Sequence, residues 1–256
     1  MNYKLLMDTA MLAGEIMLGS DAEINRVEDT MMHILKNAKN AKVEVYVMML
    51  GIMATLDCEF MDPITLVRQV DDVGGLNLSK IVKVNDISRR FCGGEISLES
   101  AYKELTMIRG KQYNSTTYNL CTIGVAVGFV LMFGGTITDV LVTAMVGSVL
   151  AAIITIGRRI GINSVILNAT SSFCIALVAT ILQTFIFTSV NLDIVIISSI
   201  MLLVPGVAIT NAVRDILACD YLSGGARILK AFLTAAAIAI GTGAGMALFK
   251  FIFGGR

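Results

Sequence analysis

The sequence lacks most of the features that mark nucleic-acid-binding, zinc-binding or disulfide-rich proteins. Its net charge is zero and it has no cluster of Lys and Arg, so it has no basic surface for phosphate groups. Its five cysteines contain no CxxC pair, which argues against a zinc site or a disulfide framework. The single histidine, His33, falls in a helix-like stretch and is read as packed or solvated. The sequence therefore predicts no metal site, no cofactor and no nucleic-acid partner.

The N-terminus also lacks a secretory signal. Such a signal begins with basic residues and continues into an apolar stretch with a small-residue cleavage site. Here acidic residues arrive too early, at Asp8, Glu15, Asp21 and Glu23. We therefore expect later segments to direct membrane insertion.

Charge is scarce in the second half of the chain. Residues 1–117 contain 13 Lys or Arg and 16 Asp or Glu, whereas residues 118–256 contain only 7 and 4. The whole chain is 55% apolar, above the composition of an ordinary soluble domain. The sequence therefore predicts two domains, 1–117 in water and 118–256 in a membrane.

Long apolar runs recur in the second half at the length of about 20 residues that a helix needs to cross a bilayer. Continuous hydrophobicity favours helices over the alternating pattern of a membrane β-barrel. The predicted fold is an α+β domain followed by an all-α membrane domain of about five transmembrane helices. The predicted spans are about 118–135, 137–156, 165–188, 193–210 and 228–251.

Basic residues flank these spans unequally. One set of flanks contains Arg109, Lys111, Arg158, Arg159, Arg214, Arg227 and Lys230, whereas the links 134–138 and 189–193 contain no Lys or Arg. Because basic residues are enriched on the cytoplasmic side, the pattern predicts a multi-pass protein of the cell (inner, cytoplasmic) membrane with a cytoplasmic N-terminal domain.

The polar half shows both helical and strand patterns. Apolar spacing predicts a helix over Tyr3–Leu18, and Ser20 with Glu23 matches a capping box for a second helix that ends near Lys39. β-branched residues in Val43–Leu56 and Ile64–Val70 favour a small sheet.

The remaining part of the polar half is read as a turn followed by two helices. The turn is predicted at 72–75, and the helices at about 76–91 and 98–109.

Two pairs of glycines have the GxxxG spacing that allows close helix packing in membranes. They are Gly124 with Gly128 in the first span and Gly241 with Gly245 in the fifth. Glycines that are simply tolerated in apolar helices explain either pair equally well.

The strongest candidate for a solute site lies in the fourth apolar run and just beyond it. Pro205 and Gly206 predict a bend or break there, and broken helices in transporters free backbone groups to bind solutes. Asn211, Arg214 and Asp215 then follow at i, i+3 and i+4, on one helix face, where an Arg can bind a carboxylate and an Asp an ammonium group or a proton. The full candidate set is Pro205, Gly206, Thr210, Asn211, Arg214, Asp215, Asp220, Ser223 and Arg227. The alternative is a cytoplasmic loop whose charges are solvated and only fix topology.

Two further polar sets are weaker candidates. Asn168, Thr170, Ser171 and Ser172 in the third span are suited to lining a pathway, although hydrogen bonding between helices is slightly favoured. In the N-terminal domain, Glu15, Glu23, Arg26, Glu28 and Asp29 place carboxylates around one Arg, as an acid/base or ion site would. A solvated helix pair is the favoured alternative.

Two stretches resemble the threonine/serine exporter family, in particular its N-terminal module. They are AGEIMLGSDAEINRVEDTM at Ala13–Met31 and VPGVAITNAVRDILACDYLSGGARILKAFLTAAAIAIGTG at Val204–Gly243. Together, the two stretches and their order give a resemblance that covers essentially the whole chain.

The resemblance implies export of small amino acids such as threonine and serine or, as in the split members similar to succinate exporters, of C4-dicarboxylates. Because fused members carry about ten helices, it also implies a separate small transmembrane subunit, in a homo- or hetero-oligomer. The absence of an ATP-binding motif favours secondary transport. The alternative is a membrane-anchored hydrolase or a regulatory scaffold that uses the N-terminal domain, although the sequence has no GxSxG motif.

Overall fold

A computed structural model describes residues 2–58, 61–70, 75–108 and 113–254. It contains a small three-stranded sheet followed by a mostly helical region. Unit 1 comprises residues 1–112 and 207–228, and unit 2 comprises 113–206 and 229–256. The predicted division at residue 117 differs from this partition, because residues 207–228 pack with the N-terminal residues.

Unit 1 begins with an αα-hairpin and continues into the sheet and two more helices. The elements are α1 (Tyr3–Leu18), α2 (Ile24–Leu35), β1 (Ala41–Met48), β2 (Gly51–Cys58), β3 (Met61–Gln69), α3 (Leu78–Cys92) and α4 (Leu98–Ile108). The helix predicted over Tyr3–Leu18 is confirmed, and the other predicted helices agree within a few residues at most ends. The turn predicted at 72–75 lies largely outside the described residues.

The sheet is antiparallel in the order β1-β2-β3. The predicted strand region Val43–Leu56 is in fact a hairpin, because the chain turns at Met49 and Leu50. Tyr46, Met53 and Val67 are in register across the three strands on the exposed face. The opposite face packs on the helices.

α1 forms the centre of the core of unit 1, and eleven of its 16 residues are buried. Gly14 lies against the side chains of Met31 in α2 and Ile52 in β2, and a Cβ atom at this position would displace the Met31 sulfur. Close packing of this kind tolerates little added volume.

Unit 2 contains the apolar helices. They are α5 (Ser115–Met132), α6 (Ile137–Ile160), α7 (Ser164–Phe185), the short α8 (Leu192–Ile200) and the C-terminal part of α10 (Tyr221–Phe253). Among the described residues, α5, α6, α7 and α10 are long and apolar enough to cross a membrane. These four correspond to the first, second, third and fifth predicted spans.

The fourth predicted span, 193–210, is not one helix. α8 ends at Ile200, residues 201–205 are not helical, and α9 (Gly206–Leu217) begins after Pro205. The nine residues of α8 rise only about 14 Å, roughly half of the hydrocarbon core. The break predicted at Pro205 and Gly206 is therefore present, and it divides the predicted span into two short helices.

Asp139 ties two links of unit 2 together. Its Oδ2 accepts hydrogen bonds from the backbone N–H (2.7 Å) and the hydroxyl (2.8 Å) of Thr136, in a capping box at the start of α6. Its Oδ1 accepts from the Asn191 N–H at 2.8 Å, just before α8. One buried carboxylate therefore satisfies N–H groups at the starts of two helices.

The two glycine pairs behave differently. A Cβ atom at Gly241 would collide with the Ala169 carbonyl oxygen of α7, and one at Gly245 would collide with that of Phe173. At Gly124 and Gly128 a Cβ atom would enter open space. Close backbone packing is thus confirmed for the pair in α10 and is not seen for the pair in α5.

Candidate functional site

The candidate site is built around the corner between α1 and α2, residues Ser20 to Glu23. α9 and the first turns of α10 pack against this corner inside unit 1. Asn211 Nδ2 donates to the Asp21 carbonyl oxygen at 3.2 Å. Asp21 has a φ of 58°, a left-handed conformation that Asp adopts more readily than most residues. Two segments almost 200 residues apart in sequence therefore meet here.

α9 is an inverted amphipathic helix. Its inward positions include Asn211 and Asp215, whereas its exposed positions include Val207, Val213 and Leu217, the last 80% exposed. A helix on the surface of a soluble domain normally has the opposite arrangement. Polar groups facing the protein and apolar groups facing outward are the arrangement expected beside lipid.

Arg227 is the central cation of the site, and its side chain is only 3% exposed. Its Nη1 donates to Asp21 Oδ1 at 2.6 Å, and its Nη2 donates to the Ala22 carbonyl oxygen at 3.0 Å. Its Nε lies 3.1 Å from Asp215 Oδ2. The Arg227 guanidinium, which belongs to α10, therefore contacts both the α1–α2 corner and α9.

Asp215, 2% exposed, also caps α2. It accepts a hydrogen bond from the backbone N–H of Ile24, the first residue of that helix. The predicted capping box of Ser20 and Glu23 is wrong, because the Ser20 hydroxyl donates to the Ile16 carbonyl oxygen and Glu23 makes no side-chain cap. A carboxylate from α9 takes the place of the local cap at the positive end of α2.

Arg214 and Glu23 form a second ion pair, and this one is accessible. Their side chains are 55% and 31% exposed, against 3% and 2% for Arg227 and Asp215. The site therefore contains one buried and one accessible pair. An exposed pair contributes little to stability and exchanges readily with solvent or another charged group.

Asp220 and Ser223 complete the site at the start of α10. Asp220 Oδ1 accepts from the Ser223 N–H at 3.3 Å. Four of the seven buried side-chain atoms that have no hydrogen-bond partner among the described residues belong to this site: Asp215 Oδ2, Asp220 Oδ2, Ser223 Oγ and Arg227 Nε. Arg227 Nε and Asp215 Oδ2 are close enough for an ion pair but not aligned for a hydrogen bond. Unpaired buried polar atoms are uncommon in folded proteins.

Two carboxyl groups of unit 1 have raised pKa values. Burial raises the pKa of Asp215 by disfavouring its charged form, and nearby Arg227 only partly offsets this effect. Burial also raises the pKa of Glu28, against the hydrogen bond from the Val47 N–H, and the negative charges of Asp220 and Asp29 raise it further. Both shifts favour the protonated form of these carboxyl groups.

The candidate residues of the N-terminal domain have separate partners. Glu15 pairs with Arg68 of β3 at 3.2 Å, and Glu28 Oε1 accepts from the Val47 N–H of β1 at 2.9 Å. When the Asn85 amide is oriented to satisfy its neighbours, its oxygen accepts from Arg26 Nη2 at 2.6 Å. Asp29 is exposed on α2. Within the part of the chain that the structure describes, Arg26 therefore pairs with Asn85 and not with these carboxylates, whereas Glu23 and Glu28 interact with residues 207–228.

The candidates from the second half fall into two groups. The first group, which meets the α1–α2 corner, consists of Asn211, Arg214, Asp215 and Arg227. Ser223 lies one turn before Arg227 on α10, Asp220 immediately precedes that helix, and Thr210 is exposed. Pro205 instead lines an apolar cavity of about 410 Å³ in unit 2, and Gly206 adjoins it in sequence. In α7, Ser171 and Ser172 are buried and Thr170 is exposed, with its hydroxyl donating to Ile166 O.

Sequence reasoning missed Asp21 and the carbonyl group of Ala22. Asp21 lies in a polar turn, and nothing in its local pattern distinguishes it from a solvated residue. The signal that could have led to Asp21 is Arg227, because a cation in a half of the chain with few charges needs a carboxylate partner. Among the described residues, no group of three or more His, Cys, Asp or Glu side chains is suited to a metal ion.

The helices and the site together define a multi-pass helical membrane protein with polar residues facing inward after a broken helix. The family model described as threonine/serine exporter matches residues 8–249. The chain therefore belongs to the threonine/serine exporter family. No curated protein and no solved structure matches it.

Proposed function

We propose that this protein is a subunit of a secondary transporter that exports small amino acids across the cytoplasmic membrane. The family describes export of threonine and serine, and the long apolar helices fit a membrane transporter. The observation that carries the choice of solute is the accessible ion pair of Arg214 and Glu23.

This pair matches the two charges of an amino acid. A solute carboxylate can bind the Arg214 guanidinium, which presents parallel N–H donors, while the solute ammonium group binds Glu23. The solute would replace an exposed pair that contributes little by itself. Arg227 and Asp215 remain in place and hold the surrounding helices.

The same pair disfavours a C4-dicarboxylate. A dicarboxylate has no ammonium group, and its second carboxylate would lie near the Glu23 carboxylate. Two like charges at close range weaken binding by roughly several kcal/mol. We therefore place threonine and serine before succinate.

The proposal includes a separate small transmembrane subunit and a cytoplasmic N-terminal domain. The apolar outward face of α9 supports a membrane-adjacent position for the corner site. The basic residues that flank the spans support the cytoplasmic side. The solute would then enter from the cytoplasm at Arg214 and Glu23.

The test is efflux of preloaded labelled threonine and succinate from cells that lack their own exporters. Cells would express the chain with and without its second subunit, with Arg214→Ala or Glu23→Gln, and at matched expression. The control is Arg90→Ala, which removes a similarly exposed pair with Glu104 in unit 1. We expect subunit-dependent threonine efflux that both site variants abolish and Arg90→Ala preserves.

Other outcomes would change the proposal in defined ways. Efflux of succinate alone would contradict the assignment to amino acids. Equal losses from Arg214→Ala and Arg90→Ala would make the Arg214 pair structural. Absence of efflux of both solutes under every condition would favour a membrane-anchored enzyme or scaffold.

A further inference from the structure

We propose that Tyr118, Arg158 and Arg159 form a binding site for the phosphate group of an anionic phospholipid at one end of the apolar helices of unit 2. The site lies on α5 and α6 and shares no residue with the solute site at the α1–α2 corner. The inference requires only that α5 and α6 cross a membrane, and it is independent of the solute that is exported.

The two arginines lie at the level of the lipid headgroups. Both belong to the last turn of α6, which ends at Ile160 and is followed by Gly161 with a φ of 76°. The 24 residues of this helix rise about 36 Å, whereas the hydrocarbon core is about 30 Å thick. Because a guanidinium inside the core is costly, the last turn of α6 is the part that extends to the headgroups.

The carboxylates of unit 2 lie far from these arginines. The described acidic side chains of this unit are Asp139 and Asp193, near the starts of α6 and α8. The rise of α6 between Asp139 and Arg158 is about 28 Å. The hydrogen bond from the Asn191 N–H to Asp139 places the start of α8 at that same distant end. Within the described residues, neither Arg158 nor Arg159 forms an ion pair.

Tyr118 holds the Arg158 guanidinium between α5 and α6. The Arg158 Cζ atom lies 4.6 Å from the centroid of the Tyr118 ring, and Arg158 Nη2 donates to the Tyr118 hydroxyl at 2.9 Å. About one turn before Arg158, the Thr155 hydroxyl donates to Asn119 Oδ1 at 2.7 Å and links the same two helices. A side chain that is held in place before its ligand arrives loses less conformational entropy on binding.

The exposed groups of the three side chains are mainly hydrogen-bond donors. A guanidinium has five N–H donors and no acceptor. Arg158 uses Nη2 for Tyr118, and the Arg159 side chain makes no hydrogen bond within the part of the chain that the structure describes. Because the Tyr118 oxygen accepts from Arg158, its own O–H remains to donate to a ligand. Two positive charges with accessible donors suit an anion rich in acceptor oxygens, as a phosphate group is.

Apolar side chains beside these donors favour a lipid over a soluble anion. Ile156 and Ile160 are four residues apart on one face of α6, next to Arg159, and are 55% and 69% exposed. Leu120 of α5, two residues after Tyr118, is 65% exposed. A phosphate bound at the arginines therefore adjoins apolar surface that the acyl chains of the same molecule can cover. A soluble phosphate ion makes no use of that surface.

Native mass spectrometry of the purified full-length chain in detergent tests the site, because it counts bound lipid molecules. The probes are phosphatidylglycerol and phosphatidylcholine with identical acyl chains, each with and without inorganic phosphate. We expect wild type to bind phosphatidylglycerol more tightly and the double variant Arg158→Gln, Arg159→Gln to lose this preference. Each arginine removed should weaken phosphatidylglycerol binding roughly fivefold. Inorganic phosphate should not displace the lipid.

Tyr118→Phe keeps the ring and removes the hydroxyl, and it tests the site in a chain that retains both arginines. We expect it to weaken phosphatidylglycerol binding by less than the double variant does. Lys250→Gln is the control, because it removes an exposed cation from the last turn of α10 in the same unit and should leave binding unchanged.

Three results would overturn the proposal. Equal binding of the two lipids by wild type would show that the site does not select an anionic headgroup. A loss in Lys250→Gln as large as that in the double variant would make the attraction one of overall charge. Displacement of phosphatidylglycerol by inorganic phosphate would show that the site takes a soluble anion.

Discussion

The interiors of the two units differ in how they treat polar groups. In unit 2 many buried polar side chains are hydroxyls that bond to their own helix, as Thr180 does to Ala176 O and Ser199 to Val195 O. Its buried carboxylate, Asp139, caps helix starts. In unit 1 a charged guanidinium and a carboxylate are buried side by side at the junction of three helices.

The buried polar groups of the two units call for different explanations. Hydroxyls bonded within a helix and a capping carboxylate satisfy local backbone groups and need no further role. A buried ion pair is weak evidence for stability, because well-packed apolar residues are often as good or better. The buried ion pair of Arg227 and Asp215 is therefore not explained by stability alone, and our proposed solute site lies beside it.

The largest expected effect comes from removing the buried cation of unit 1. Arg227→Met removes the buried cation that pairs with Asp21 and Asp215, and we expect a loss of about 3–5 kcal/mol of stability. Thermal unfolding of the purified protein in detergent measures the loss. Arg214→Met, at an exposed pair, is the control and is expected to cost less than about 1 kcal/mol. Equal losses would remove the distinction between the buried and the accessible pair.

The next effect concerns helix packing in unit 2. Gly241→Leu forces a side chain against the Ala169 carbonyl group of α7, and we expect a loss of about 1–3 kcal/mol. Gly124→Leu meets open space, and better helix propensity should make it neutral or stabilising by up to about 1 kcal/mol. Thermal unfolding of both variants tests the contrast. A larger loss of stability in Gly124→Leu than in Gly241→Leu would contradict this contrast, because it would require close helix packing at Gly124 of α5.

Removing the capping carboxylate of unit 2 is expected to have a moderate effect. Asp139→Ala leaves the N–H groups of Thr136 and Asn191 without their acceptor, at a cost of about 2 kcal/mol. Asp193→Ala is the matched control, because Asp193 is an exposed residue in the first turn of α8, where loss of the dipole interaction costs about 0.3–1 kcal/mol. Thermal shifts of similar size for the two variants would contradict the bridging role of Asp139.

The smallest effect tests the pH sensitivity of unit 1. The pKa of Glu28 is raised in the folded state, so its folded form binds the proton more tightly and its contribution to stability declines as pH rises above the ordinary Glu range. Glu28→Gln keeps an acceptor for the Val47 N–H and removes the charge. We expect the variant to be more stable than wild type near neutral pH by less than about 1 kcal/mol, since the group is partly solvated.

The comparison for Glu28→Gln is the difference in thermal midpoint between variant and wild type across pH. That difference should shrink as pH falls through the raised pKa toward the ordinary Glu range. A constant difference at every pH, or a variant less stable than wild type near neutral pH, would contradict the linkage.

The sequence predicted the apolar helices well, because long hydrophobic runs determine helices in lipid almost independently of their neighbours. It also predicted α1 and the break at Pro205, where a single residue removes a backbone donor. It failed at the start of α2, where Ser20 and Glu23 have the right spacing but Asp215 supplies the cap. Local pattern cannot reveal a cap that comes from almost 200 residues away.

The candidate site was predicted as a list of residues but not as an arrangement. The helical spacing of Asn211, Arg214 and Asp215 was readable, since α-helix geometry fixes which residues share a face. The sequence could not show that Arg214 forms an accessible ion pair and Arg227 a buried one, because burial depends on packing against the α1–α2 corner.

Hydrophobicity, motif order and local backbone chemistry were enough to predict the membrane-spanning character of the chain, its family and most helix positions. The packing of residues 207–228 with the N-terminal residues, and the pairing of Arg227 with Asp21, became visible only in the folded chain. Such contacts join residues whose separation along the chain carries no periodic signal. Their energy comes from desolvation and charge pairing, which exist only once the surrounding helices exclude water.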